Sequence, residues 1–101
     1  MRVCVIGAGA AGMMASIVLA RGGVDVVLVE KNEKFGKKLY ITGKGRCNLT
    51  NDCEIDDLFG NVVRGEKFLR SALYGFTPQD TMSFFEDLGL KLVVELSLIH
   101  I

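Results

Sequence analysis

Three glycines and one acid near the start of the chain have the types and spacing to bind a phosphate-containing ligand. Gly7, Gly9 and Gly12 lie between a short apolar run and a helix-forming segment. In this setting the first glycine allows a tight turn, the second lets a pyrophosphate approach the backbone, and the third permits close helix packing. The helix N-terminus offers N–H groups and partial positive charge to phosphates. Glu30 follows Gly12 by eighteen residues. At this position its carboxylate can accept hydrogen bonds from ribose hydroxyls. It would also repel a 2′-phosphate, which disfavours NADP as the ligand.

The glycine spacing leaves two questions open. Glycines at these positions can also serve only a tight strand-to-helix connection, without any ligand. The pattern resembles FAD-binding Rossmann sequences more than those of NAD dehydrogenases, but both cofactors place an adenosine diphosphate half at such a loop. The residues alone therefore predict a dinucleotide site without choosing between FAD and NAD.

The segments around the loop predict a strand, a helix and a second strand. Arg2 to Ile6 is expected to be a buried strand, with Cys4 as a small buried apolar residue. Ala10 to Ala20 is apolar nearly all round and predicts a buried helix. Val24 to Val29 predicts a second strand that lies parallel to the first. The fold class is therefore α/β, a Rossmann-like domain that starts with a parallel βαβ unit.

A basic, glycine-containing segment follows, from Lys31 to Arg46. It carries six cationic side chains and the single acid Glu33, and predicts a loop with one short helical turn. Such a loop suits a pyrophosphate or a flavin edge, and Arg46 is the strongest candidate because a guanidinium can hold phosphate oxygens bidentately. A solvated basic loop is the alternative, and Lys37 and Lys38 are more typical of surface charge.

Two helices and a strand are predicted in the rest of the chain. One helix covers Lys67 to Tyr74, and the next begins at Thr77-Pro78 and stops at Gly89. Thr77 can cap that helix, and Pro78 fits its first position. Leu90 to Glu95 predicts a strand.

Composition and length restrict the class of protein. The chain has 101 residues, half of them apolar, and no formal net charge. This allows one small domain and gives no reason to expect nucleic acid or a membrane surface as a partner. No segment predicts a signal peptide or a spanning helix, so we expect a cytoplasmic protein. Three cysteines without a CxxC pair and one histidine, His100, predict no metal site.

The catalytic alternatives all lack a required residue. Gly43-Lys44-Gly45 does not match a phosphate-binding P-loop. Cys47 and Cys53 are separated by five residues, whereas dithiol flavin reductases carry a pair separated by four. Cys47 beside Arg46 has no evident base. The sequence therefore names no catalytic residue.

The stretch from Gly36 to Asn51 contains the more specific motif, GRCNxTN, in which Arg46, Cys47 and Asn48 lie. It resembles the signature of the BaiN-like NAD(P)/FAD-dependent oxidoreductases, bacterial two-dinucleotide-binding flavoproteins of which some are known as aminoacetone oxidases. The resemblance continues through Phe68–Tyr74 and Phe84–Gly89. It implies bound FAD, with NAD(P)H as a partner of the full-length protein. The cofactor-binding residues it implies are Gly7, Gly9, Ala10, Ala11, Gly12, Glu30, Lys31, Lys38, Gly45, Arg46, Cys47 and Asn48.

Members of that family are several times longer than this chain. We therefore expect residues 1–95 to be a partial FAD-binding domain that begins at a true start, Met1, and is inactive alone. Residues 96–101 are expected to be a truncation or a foreign tail, because no physical role is evident for them. A small non-catalytic dinucleotide- or ADP-binding module is the alternative function, and a βαβ protein with only a structural turn is a third. The oligomeric state stays open.

Overall fold

The computed structural model describes residues 1–42, 47–95 and 98–100 and divides into two units. The units are Met1–Gly45 and Arg46–Ile101, and each contains its own sheet. Two of the predicted site residues, Gly45 and Arg46, lie outside the described residues, as do Gly43 and Lys44.

The first unit is built on the predicted βαβ arrangement. Strand β1 (Arg2–Ile6) leads into helix α1 (Ala10–Arg21), and strand β2 (Asp25–Val29) follows. The strands pair in parallel over their whole length. The α/β Rossmann-like class and its parallel start are thus confirmed. A short helix, α2 (Lys37–Ile41), follows in the basic segment where one helical turn was expected.

The prediction that the first strand and helix are buried is wrong. Residues alternate between exposed and half-buried along β1, and no residue of α1 is buried. Val5 faces α1, because a Cβ built on Gly12 would lie 3.5 Å from its Cγ1 atom. Alternate side chains point to the other face of a strand, so Cys4 and Ile6 lie on the side away from this helix. Both are exposed, Ile6 to 86%.

The second unit combines a three-stranded antiparallel sheet with three helices. The central strand of this sheet is the last in the sequence, so that the strand order is β3-β5-β4. Its elements in chain order are β3 (Asn48–Asn51), α3 (Ile55–Gly60), α4 (Glu66–Gly75), α5 (Pro78–Asp87), β4 (Val93–Glu95) and β5 (Leu98–His100).

Helix α5 begins as its sequence predicts. The Thr77 hydroxyl accepts a hydrogen bond from the Asp80 N–H at 3.2 Å, and the Asp80 carboxylate accepts one from the Thr77 N–H at 3.0 Å. Pro78 occupies the start of the helix and is buried. The two reciprocal bonds satisfy N–H groups that the first turn of a helix leaves without intrahelical partners.

An aromatic and polar cluster joins α3 to α4. Phe59 is 7% exposed, and its ring centroid lies 5.3 Å from that of Tyr74. The Arg70 guanidinium lies 5.1 Å from the Phe59 ring centroid, and the Tyr74 hydroxyl donates a 2.9 Å hydrogen bond to Asp56. Helix α3 therefore packs against α4.

Backbone pairing extends into the segment expected to be a truncation or foreign tail. Leu98–His100 pairs with both β3 and β4, and Asn48 lies opposite His100 in the register. Residues 96, 97 and 101 lie outside the described residues.

Candidate functional site

The glycine loop between β1 and α1 is attached to the end of β2. Gly7 has φ of +98°, a conformation that only glycine adopts readily. Its N–H donates a 2.7 Å hydrogen bond to the carbonyl oxygen of Val29. The next residue, Ala8, is 1% exposed. The turn is thus held in place by the strand that carries Glu30 at its end.

Gly12 is required by the packing of α1 on the loop. A Cβ atom at this position would lie 1.8 Å from the Gly7 carbonyl oxygen and 3.0 Å from the Gly7 carbonyl carbon. Both are backbone atoms, which cannot move aside as the end of a flexible side chain can. The fold itself therefore explains why this position is glycine.

Packing does not require a glycine at position 9 as it does at position 12. Gly9 is the N-cap of α1, in an extended conformation, and a Cβ atom there would meet no atom within 4 Å. Its carbonyl accepts the first helical hydrogen bond, from the Met13 N–H at 3.0 Å. The following residues, Ala10 and Ala11, form the first turn, where backbone N–H groups lack intrahelical acceptors. Intramolecular contacts give no reason for the missing side chain at Gly9, whereas a ligand on the loop would.

The Glu30 carboxylate is fixed at the same loop by three hydrogen bonds. Oε2 accepts from the Ala8 N–H at 2.7 Å, and Oε1 accepts from both the backbone N–H and the side-chain Nδ2 of Asn32 at 3.0 Å. These bonds hold the pKa of Glu30 below its ordinary value. The Asn32 N–H contributes most and the Ala8 N–H next, while partial burial works in the opposite direction. Glu30 is therefore a charged acceptor at neutral pH.

Helix α2 is joined to the glycine loop through its N-cap residue, Gly36. The Gly36 N–H donates a 2.8 Å hydrogen bond to the Ala8 carbonyl oxygen, and Gly36 has φ of +65°. A Cβ atom there would also approach the Met13 side chain to 3.3 Å. This attachment brings the first residues of α2, Lys37 and Lys38, to the loop.

Two clefts open beside these residues. A cleft of 220 Å³ is lined by Ala8, Gly9, Glu30, Asn32, Lys37, Lys38 and Ile41. A neighbouring cleft of 430 Å³ is lined by Lys31, Asn32, Glu33, Lys34 and Lys37. The first combines open backbone at a helix N-terminus, a carboxylate and two ammonium groups. This is a chemistry suited to a ribose joined to phosphates.

The structure thus brings together most of the predicted site residues that lie in the first unit. Gly9, Glu30 and Lys38 line one cleft, Lys31 lines the adjacent one, and Gly7, Ala10, Ala11 and Gly12 form the loop and helix start. Cys47 and Asn48 lie at the start of β3 in the second unit. Cys47 is half-buried and Asn48 is exposed.

Sequence reasoning missed six residues that line the clefts, and two of them, Asn32 and Lys37, border both clefts. The sequence signal for Asn32 was its place two positions after Glu30, because asparagine side chains hydrogen-bond to nearby groups in turns. Lys37 was interpreted as surface charge because a lone lysine in a basic run gives no sign of which surface it covers.

The three cysteines, Cys4, Cys47 and Cys53, are free in the structure. The pKa of Cys53 is raised, first by partial burial and then by the negative charges of Asp57, Asp52 and Glu54. A raised pKa disfavours the thiolate, which is the reactive form.

Within the described ranges, no three His, Cys, Asp or Glu side chains lie together as a metal ion would require. None of the helices in the described part of the chain is long and apolar enough to cross a membrane.

The fold and the loop define a Rossmann-type dinucleotide-binding domain. Comparison with known families assigns it further: residues 1–98 match the HI0933-like protein Rossmann domain, and the chain belongs to this family of flavoprotein oxidoreductases. The family resemblance found in the sequence is thereby confirmed.

Several curated proteins are similar to this chain. A 3-dehydro-bile acid delta(4,6)-reductase of Clostridium scindens is 41% identical over 93 residues, which cover 88% of this chain and 22% of that protein. A ribosomal RNA dihydrouridine synthase of Escherichia coli is 35% identical over 86 residues, 85% of this chain and 21% of its own length. A 4,4'-diapolycopene oxygenase of Methylomonas sp is 56% identical over 43 residues, 43% of this chain and 9% of its own length. The chain thus spans about a fifth of the first two relatives.

Proposed function

We propose that this chain binds FAD and forms the FAD-binding portion of a flavin-dependent oxidoreductase. One observation carries the proposal: Gly9 has open space where a side chain would be, in the same cleft as the Glu30 carboxylate. The chain's own packing accounts for Gly12 but not for Gly9. A pyrophosphate that approaches the backbone at Gly9 would account for it.

Different residues of the first unit would bind the phosphate and ribose parts of the adenosine diphosphate half of the cofactor. The N–H groups of Ala10 and Ala11 at the start of α1 would receive the pyrophosphate. Glu30 would accept ribose hydroxyls, and Lys38 with Lys37 would balance phosphate charge from the other side of the cleft. When bound, FAD supplies the electron-transfer chemistry, which protein side chains cannot perform.

The names of the relatives support a role in cofactor binding rather than in substrate choice. They refer to a bile acid, a ribosomal RNA and a diapolycopene, which are chemically unlike. A segment shared with all three proteins is best explained by what such enzymes have in common. We therefore propose that substrate contacts lie elsewhere in such proteins and that this chain alone is inactive.

On the basis of the family motif, we propose further cofactor contacts by Lys31, Gly45, Arg46, Cys47 and Asn48. NAD(P)H is the electron donor of the longer protein. An odd number of cysteines without a CxxC pair suits a reducing, cytoplasmic location.

The direct test is a visible spectrum of the purified chain, followed by separate titrations with FAD, ADP, NAD and NADP. We expect flavin absorption bands or saturable FAD binding, competition by ADP, and weaker binding of NADP than of NAD because Glu30 repels a 2′-phosphate. Absence of binding by both FAD and ADP would refute the proposal and leave the glycine loop as a structural turn.

A non-catalytic ADP-binding module is the second candidate. It is favoured by the fact that every residue lining the two clefts belongs to the first unit, Met1–Gly45. The titrations separate the candidates, since FAD bound more tightly than ADP requires contacts to the flavin half. Equal affinities for FAD and ADP would support the module.

A further inference from the structure

We propose that Asn32 is a second ribose-recognition residue, whose amide oxygen Oδ1 accepts one hydroxyl of the adenosine ribose while Glu30 accepts the other. The inference rests on the proposed function, because it requires a nucleotide at the glycine loop. It assigns a ligand-binding role to a residue outside both the glycine motif, Gly7 to Gly12, and the GRCNxTN motif.

The Glu30 carboxylate has few acceptor sites left for a ligand. Each carboxylate oxygen can accept about two hydrogen bonds. Oε1 already accepts two, from the N–H and Nδ2 of Asn32, and Oε2 accepts one, from the Ala8 N–H. The Lys31 N–H also interacts with the carboxylate, so at most one acceptor site remains, on Oε2. A ribose presents two vicinal hydroxyl donors, so Glu30 cannot accept both without losing a hydrogen bond that holds it.

The Asn32 side chain offers the missing acceptor. Its Nδ2 must face Glu30, because an amide oxygen turned toward the carboxylate would place two acceptors together. The planar amide then carries Oδ1 at the same side-chain tip, beside the fixed nitrogen. Among the described residues of the chain, no hydrogen-bond donor contacts Oδ1.

The other side chains of the cleft cannot take this role. Lys37 and Lys38 carry donors only, and Ile41 has no polar side-chain atom. The backbone carbonyls of Ala8 and Gly9 each accept one hydrogen bond, from Gly36 and Met13 respectively, and are not side-chain acceptors. Asn32 and Glu30 are therefore the two side chains of this cleft that can accept from a sugar hydroxyl.

The test is a set of calorimetric titrations in which both the residue and the ligand are changed. The ligands are ADP, 2′-deoxy-ADP and 3′-deoxy-ADP, and the proteins are the unchanged chain, Asn32→Ala and the control Asn61→Ala. Asn61 also donates through Nδ2, to the Asp57 carbonyl oxygen at 2.9 Å, but lies in the second unit. Circular dichroism melts establish that each variant is folded.

We expect the unchanged chain and Asn61→Ala to bind both deoxy analogues about three- to tenfold more weakly than ADP. Asn32→Ala is expected to bind ADP more weakly by a similar factor. It should also stop discriminating against one of the two analogues while still discriminating against the other. A further variant, Glu30→Ala, identifies the hydroxyl that Glu30 accepts, because its removal from the ligand no longer weakens binding to that variant. If Asn32 only positions Glu30, Asn32→Ala would lose discrimination against that same analogue or weaken all three ligands by one common factor, and either result would overturn the inference.

A second measurement uses the unchanged chain and does not depend on the folding of a variant. The ¹³Cγ resonance of Asn32 should shift on addition of ADP and shift less with the analogue that lacks the hydroxyl it accepts. Equal shifts with all three ligands would contradict the inference. Failure of the unchanged chain to bind both ADP and FAD would instead overturn the proposed function, and the inference with it.

Discussion

The backbone N–H of Ala8 donates a 2.7 Å hydrogen bond to the carboxylate of Glu30, twenty-two residues further along the chain. This bond joins the glycine loop to the end of the neighbouring strand. It places a negative charge beside a helix N-terminus, where an anionic phosphate is also expected. The site therefore has an acidic side for sugar hydroxyls and a side of backbone N–H and ammonium groups for phosphates.

Replacing Gly9 should abolish nucleotide binding without unfolding the chain. In Gly9→Val the new side chain enters open space and blocks the approach of the pyrophosphate to the backbone. We expect loss of FAD and ADP binding in titrations, with a thermal transition close to that of the unchanged chain. Gly75→Val is the matched control, since Gly75 also has open space around its Cβ position. Unchanged ADP binding by Gly9→Val would contradict the location of the site.

Replacing Gly12 should instead damage the fold. The Cβ of Gly12→Ala would lie 1.8 Å from a backbone oxygen, so α1 must move away from the loop. We expect a loss of about 1–3 kcal/mol in the free energy of unfolding, measured by urea denaturation. The control is Gly60→Ala, also near a helix end but with open space. A Gly12→Ala variant as stable as the control would show that the short distance between position 12 and the Gly7 carbonyl does not affect stability.

The charge of Glu30 should make nucleotide binding dependent on pH in the acid range. Its pKa lies below the ordinary value of 4.5, because the N–H groups of Asn32 and Ala8 stabilise the carboxylate. The stabilisation is present above the ordinary pKa and is lost as the pH falls through the lowered one. FAD affinity measured by calorimetry should thus stay constant from neutral pH down to about 5 and fall below the lowered pKa. FAD is used here because the terminal phosphate of ADP itself titrates at about pH 6.

In Glu30→Gln this acid-range change should disappear, and ADP should bind about ten- to hundredfold more weakly at neutral pH. Glu33→Gln, in the same segment, serves as the control that keeps the pH profile. A profile shared by both variants and the unchanged chain would exclude Glu30 as its source.

The reciprocal bonds between Thr77 and Asp80 should stabilise the second unit. Thr77→Ala removes the hydroxyl that accepts from the Asp80 N–H and should cost about 1 kcal/mol of stability. The Thr77 N–H also holds the pKa of Asp80 below its ordinary value, so this contribution is lost as the pH falls through that lowered pKa. Chemical denaturation of Thr77→Ala and Thr50→Ala at neutral and acid pH measures both effects. Equal stability of the two variants at neutral pH would contradict the prediction.

The sequence by itself determined the features that depend on neighbours along the chain. The βαβ start, the glycine loop, the acid at the end of β2 and the Thr77-Pro78 helix start all follow from short-range preferences. Periodicity, turn conformation and capping act over a few residues, so they can be recognised without knowing what packs against them. The local helical turn in the basic segment was predicted for the same reason.

Only the tertiary structure decided the features that depend on distant partners. The pairing of β5 with both β3 and β4 joins residues about fifty positions apart in the β3 ladder, as Asn48 and His100 show. Cys4 and Ile6 are exposed because α1 covers the other face of β1. The apolar sequence of β1 does not show which of its two faces is covered. Lys37 likewise reaches the cleft because Gly36 bonds to the Ala8 carbonyl, and Asn32 lies there because it bonds to Glu30. Residue type and spacing therefore identified the glycine loop and its acid, whereas three-dimensional packing determined which other side chains surround them.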